Sequence, residues 1–177
     1  YYKKYLKAKE INYNLNVIKK FSYIFFRYSA RNNININICL VNIMSKNFEQ
    51  ISLKPGFMKH NGGVMFRNIS ENEYEFKSVI NENHLNAANI THGGYLAALI
   101  DAGAGTAVHR SSQSAQCVTI SLDLKYIAAS KIGDEIIGHV KILKKTKTLV
   151  FMFCELKCND KIITSASGVW KILKIKS

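Results

Sequence analysis

Residues 92–110 constrain this chain more than any other stretch, because they form its one long helical candidate and are apolar on almost every side. Leu96, Ala97, Ala98, Leu99, Ile100, Ala102, Ala104 and Ala107 leave almost no polar stripe. A helix of that kind needs cover from most directions, and the surrounding sequence offers strands. Four strand-like runs follow it, 117–127, 134–144, 148–158 and 161–173. Their breaks carry turn residues: Ser130-Lys131-Ile132-Gly133, Lys145-Thr146-Lys147 and Asn159-Asp160. The last two are hairpin-length, so the strands they join should be antiparallel neighbours. Upstream, 63–69 and 73–80 alternate apolar and polar as half-buried strands do, and 47–60 read as a short helix broken near Pro55-Gly56. The expectation is an α+β fold, with an antiparallel sheet of five to six strands wrapped around one long central helix.

Charge divides the chain. The formal charge is +13, but residues 1–43 hold eight Lys/Arg against the single acidic Glu10, and residues 44–177 hold seventeen against eleven. The body is therefore only moderately basic, which suits an anionic ligand and is weaker than the stripe of a nucleic-acid binder. Aromatics such as Tyr23, Phe25 and Phe26 beside the N-terminal charge leave a weak nucleic-acid reading for that segment alone. Residues 1–43 are rich in Asn, poorly patterned and basic. They read as a presequence, a true extension, or sequence upstream of a start at Met44, the last being preferred. The domain expected to fold is 44–177. No apolar stretch approaches the ~20 residues of a membrane-spanning helix. With no secretory signal, a cytoplasmic protein is expected, or an organellar one if 1–43 are a presequence. Cys39, Cys117, Cys154 and Cys158 are scattered and read as small packing residues in a reducing compartment. His60, His84, His92, His109 and His139 show no ligand spacing, and no metal site is expected.

Chemistry concentrates in residues 84–110. Thr91-His92-Gly93-Gly94 falls where the helix should begin, with Thr91 the expected N-cap. Unpaired N–H groups there, at the positive end of the helix dipole, can polarise a carbonyl or hold a developing oxyanion. Asp101 lies in mid-helix, where Asp is disfavoured and where burial would raise the pKa of an unpaired carboxylate. A structural Asp bonded to backbone or Arg is the plain alternative. Nine residues separate His92 from Asp101, so they lie on opposite sides of the helix, roughly 13 Å apart. If both serve one reaction, two subunits must share the site, and a symmetric dimer has two such sites.

The segment resembles the signature of the PaaI-type (phenylacetate-pathway) hotdog-fold acyl-CoA thioesterases, approximately H-x-N-x-x-G-x-x-H-G-G-x-x-x-x-L-x-D. His84, Asn86, His92, Gly93, Gly94, Leu99 and Asp101 match in order and spacing. The likeness continues through Val118–Tyr126 and 147–151, covering about residues 50–173. Asn89 replaces the usual Gly, and Asn tolerates a left-handed backbone better than most residues. Thr146-Lys147 stand where Gly-Lys or Gly-Arg is common.

The resemblance implies an acyl-CoA substrate hydrolysed to free acid and CoA. Asn86 and the Gly93 N–H would hold the thioester carbonyl, with Gly94 beside them. Asp101 would serve as general base or nucleophile, and Thr119 would help place water. His92 would orient Asn86 or the loop, or merely cap the helix. Lys144, Lys145 and Lys147, with Lys141, would suit the CoA phosphates, or simply form a solvated hairpin tip. No cofactor is implied beyond the coenzyme A of the substrate. A homodimer at least, and a dimer-of-dimers tetramer by family habit, are the expected partners. The alternatives are a non-catalytic acyl-CoA-binding hotdog module, which would be expected to lose the helix acid, and a hotdog dehydratase or hydratase, which uses a motif absent here. Which acyl group is preferred does not follow from the sequence.

Overall fold

The computed structural model describes residues 47–173, within a compact unit that begins at Ser45. The expected extension, residues 1–43, lies outside the described residues. Ten elements follow in order: β1 (Glu49–Ile51), α1 (Phe57–His60), β2 (Val64–Asn68), β3 (Glu73–Val79), a 3-10 turn (Glu82–His84), α2 (Gly93–Ser111), β4 (Cys117–Tyr126), β5 (Glu135–Lys145), β6 (Leu149–Cys158) and β7 (Lys161–Ile172). All seven strands form one antiparallel sheet in the order β1-β2-β3-β5-β6-β7-β4. Helix α2 packs on strands β2 to β7, so the sheet wraps it as expected.

Both hairpins expected from turn residues are present, β5–β6 and β6–β7. At the second, Asn159 and Asp160 take φ of 47° and 63°, the paired left-handed geometry that a two-residue turn requires. Residues 47–60 depart from expectation. Their first part pairs with β2 as strand β1, giving a seventh strand, and the helix forms only after Pro55. Three residues, Glu49-Gln50-Ile51, are too few to show a period, so the strand was hidden from the sequence.

Helix α2 buries Tyr95, Leu96, Leu99, Ile100, Gly103, Ala104, Ala107 and Val108, one continuous face. The opposite face, with Ala97, Ala98, Asp101, Ala102, Gly105 and Thr106, is not buried. This corrects the reading of a helix covered all round. Small residues set how closely helix and sheet approach: a Cβ at Gly103 or at Gly138 of β5 would overlap the Phe76 ring of β3. That ring, fully buried, fills the space between the two glycines. Trp170, Met152, Leu156 and Ile163 extend the core under the helix.

Strand β4 is the far edge of the sheet, and among the described residues the row of backbone groups beyond it has no partner strand. Its pairing with β7 carries a bulge between Thr119 and Ser121. The extra residue, Ile120, reverses the alternation that precedes it. Thr119 opposite Trp170 and Leu122 opposite Gly168 therefore share the inner face. Val118 and Ile120 are left outside, 45% and 56% exposed.

Candidate active site

The loop between the 3-10 turn and α2 is closed at its base. His92 N–H donates to the His84 carbonyl at 2.7 Å, and Leu85 bridges Thr91. Within it, Asn86 Oδ1 accepts the N–H groups of Ala88 (2.9 Å) and Ile90 (3.4 Å). One side of the Asn86 amide is thus spent on shaping the loop. Its NH2 makes no hydrogen bond among the described residues and is a free donor. Asn89 has φ 57°, the left-handed conformation expected at the position where the family pattern carries Gly.

His92, not Thr91, is the N-cap of α2. The imidazole Nδ1 accepts the Gly94 N–H at 2.8 Å, and a side chain at 94 would crowd that ring. Thr91 instead faces inward, its N–H and Oγ1 both on the Ser130 carbonyl and its Oγ1 accepting from Ser130 Oγ. Two expectations change. The Gly94 N–H is occupied by the cap, and His92 makes no bond to Asn86. The Gly93 N–H has no partner among the described residues. It stands at the positive end of a 19-residue helix whose first turn holds no acidic residue.

Asp101 is exposed in the single chain rather than buried, because it lies on the helix face turned toward the edge strand. Thr119 Oγ1 donates to Asp101 Oδ1 at 2.7 Å, which fixes one carboxylate oxygen and leaves the other open. The pair stands at an open cleft of about 730 Å³ between α2 and β4, where Ala102, Gly105, His109, Cys117 and Trp170 are also found. Asn86, His92 and Gly93 do not line it. Eight residues of helix separate Gly93 from Asp101, about 12 Å of rise. The structure brings Asp101 and Thr119 together; Asn86, in the loop before α2, and Gly93, the first residue of α2, stand away from that pair.

The lysines lie elsewhere again. Lys145 Nζ donates to the Ser111 carbonyl at 2.6 Å, capping the negative end of α2, and Lys141 stands 3.9 Å from Glu73. Lys144 and Lys147 are exposed at the β5–β6 corner. None of the four lines the Asp101 cleft. Of the cysteines, Cys154 and Cys158 are buried and burial pushes both thiols up, as packing residues require.

Two contributors escaped the sequence reading. Tyr126, at the far end of β4, donates its OH to the Gly93 carbonyl at 3.0 Å. Ser130, in the β4–β5 loop, anchors Thr91. Neither residue has a local signal, since each acts across more than thirty residues of sequence.

An antiparallel sheet wrapped around one long helix is the hotdog fold. The solved structure of zebrafish thioesterase superfamily member 2 shares it, with a TM-score of 0.63 and 26% identity over 69% of this chain and 90% of that one. The model of the thioesterase superfamily matches residues 88–164. A Pseudomonas aeruginosa protein named as an esterase is 32% identical over 94 residues, 52% of this chain and 70% of its own length. Mouse acyl-coenzyme A thioesterase 13 is 34% identical over 86 residues, 48% of this chain, and this chain spans 61% of that protein's length. This chain belongs to the thioesterase superfamily.

Proposed function

We propose that this protein hydrolyses acyl-CoA thioesters in the manner of the PaaI-type enzymes, in sites shared between two copies of the chain. The observation that carries the reading is the split described above: acid and hydroxyl in one place, free carbonyl donors in another. Strand β4 supplies a way to join them. Pairing its free edge with the same edge of a second copy, antiparallel about a two-fold axis, sets the Thr119 end of one strand against the Tyr126 end of the other. Tyr126 holds Gly93. The partner copy would thus deliver its Gly93 and Asn86 toward Asp101.

In such a site the Gly93 N–H and the Asn86 NH2 polarise the thioester carbonyl. Asp101, steadied by Thr119, takes a proton from water as the water oxygen bonds to the carbonyl carbon. The oxyanion formed is stabilised by the two donors. Its collapse breaks the C–S bond, and the CoA thiolate leaves with the proton from Asp101. Coenzyme A enters as part of the substrate, and the reaction so written requires no other cofactor. Lys144 and Lys147, unpaired among the described residues, are the cations we assign to the CoA phosphates. Thiol release from a panel of acyl-CoAs tests the reading. Hydrolysis of at least one, abolished in Asp101→Ala, is expected; turnover by Asp101→Ala close to wild type would sink it.

A further inference from the structure

His84 is 1% exposed, and the mechanism above gives it no part. Both ring nitrogens are committed. Nδ1 accepts the Asn81 N–H at 3.1 Å, so the ring proton sits on Nε2, which donates to the Asn61 carbonyl at 3.0 Å. Only the neutral imidazole makes both bonds; a second proton would set Nδ1–H against the Asn81 N–H. The ring lies flat on Tyr95 of α2, centroids 3.7 Å apart and planes 8° from parallel, and the Tyr95 hydroxyl shares a 2.8 Å bond with Ser78 of β3. These are the groups that face it: Tyr95 from the helix, Ser78 through Tyr95, the Asn61 carbonyl from the turn after α1, and Asn81 from its own turn. Burial holds the imidazole below its ordinary pKa, against a smaller upward pull from the Asn61 bond.

The backbone of the same residue closes the carbonyl-holding loop, through the His92 N–H on the His84 carbonyl. One buried ring therefore keys the base of the loop to the α1 turn, to its own 3-10 turn and to the helix. We propose that His84 is a positioning residue: its neutral ring sets where the Asn86 amide and the Gly93 N–H stand. The inference rests on the thioesterase reading above. It follows that protonating the ring loosens the donors more than it weakens substrate binding, so kcat falls while KM changes little.

The test uses the full chain and the best acyl-CoA of the panel, with kcat and KM measured between pH 5 and 9 for wild type, His84→Gln, His84→Phe and Asn86→Ala. A 15N–1H correlation spectrum reads the ring state of wild type. The Nε2–H tautomer is expected, and kcat should fall in acid as that ring titrates. His84→Gln keeps a donor that cannot titrate, so it should retain kcat within about tenfold and lose that acid limb. His84→Phe keeps the stacking but neither bond, and kcat should drop on the order of 10²-fold with KM within a few-fold. A folded His84→Phe with wild-type kcat, an unchanged acid limb in His84→Gln, or an Nδ1–H tautomer would each overturn the proposal. If His84→Phe shows no cooperative melt, the Gln variant and the spectrum decide. If wild type hydrolyses no thioester the thioesterase reading fails instead, and if Asn86→Ala equals wild type the assignment of Asn86 as a carbonyl donor fails. Amide exchange at Ala88 and Ile90, faster in a His84 variant than in wild type, then still supports a loop set by His84, and unchanged exchange refutes it.

Discussion

Thr119 and Asp101 meet across eighteen residues of sequence, and a single inserted residue makes the meeting possible. Strict alternation along 117–126 sets Val118, Ile120, Leu122 and Leu124 on one face and Thr119 on the other. The bulge at Ile120 breaks that rule, turning Thr119 inward while Leu122 and Leu124 stay in contact with the core. The residue types of the site were thus legible in the sequence, but the device that aims Thr119 was not, since a bulge at Ile leaves no mark of its own. Asp101 was legible as an oddity in an apolar helix, though its exposure was not. If Asp101 is the base proposed above, replacing it with Asn should lower kcat by roughly 10²–10⁴-fold with an unchanged melting temperature, because the lost carboxylate would act in the transition state. His84 gives a second check on conformational stability. Its folded pKa is depressed relative to the unfolded chain, so its contribution is fully present above the unfolded value of 6.5 and is lost as the pH falls from there through the folded value. Denaturant unfolding of wild type should weaken over that window, and His84→Gln should weaken less. Equal slopes for the two proteins would show that His84 does not carry the effect.

The hairpins β5–β6 and β6–β7 and the helix α2 were legible because period, length and turn chemistry agreed locally. What escaped were features fixed by partners far along the chain, namely the brief strand β1 and the position of β4 at the sheet edge beyond β7. The apolar face of α2 was overread for the same reason. Alanine is compatible with burial but does not demand it, and only contacts reveal which face the sheet takes. Packing between helix and sheet turns on Gly103 and Gly138 against one Phe76 ring. Gly138→Ala should therefore destabilise by about 1–3 kcal/mol, since the buried ring has no free space to enter. Thermal melting checks this, and the double variant with Phe76→Leu should recover part of the loss. The free edge of β4 answers a different test. A lysine at exposed Ile120 should discourage edge pairing without touching the core. Size measurements should then show a single copy that melts normally and no longer releases thiol.

At the scale of the molecule, the Asp101–Thr119 pair and the proposed carbonyl donors, Asn86 and Gly93, stand apart in one chain. That separation predicts complementation between two inactive proteins. One carries Asp101→Ala. The other carries Asn86→Ala with Gly93→Pro, which removes both donors and keeps the acid. Proline suits position 93 because Gly93 is the first helical residue, whose N–H bonds nothing within the helix, and His92 before it already has the extended backbone that proline favours (φ −65°, ψ 131°). The Tyr126 ring must give slightly, since a Cβ at 93 would stand 3.2 Å from it, so Asn86→Ala alone is the gentler control. After mixing and re-association, half the dimers are mixed if chains pair at random. Each mixed dimer has one intact site and one doubly damaged site, so activity should return to roughly a quarter of wild type. Repeating the mixture with Ile120→Lys in both proteins should keep it silent, because the copies would no longer meet along β4. If the first mixture stays inactive while size and mass measurements confirm exchange, the acid and the donors work within one chain. The helix must then bend or the loop must travel by about the length of eight helical residues to bring them together.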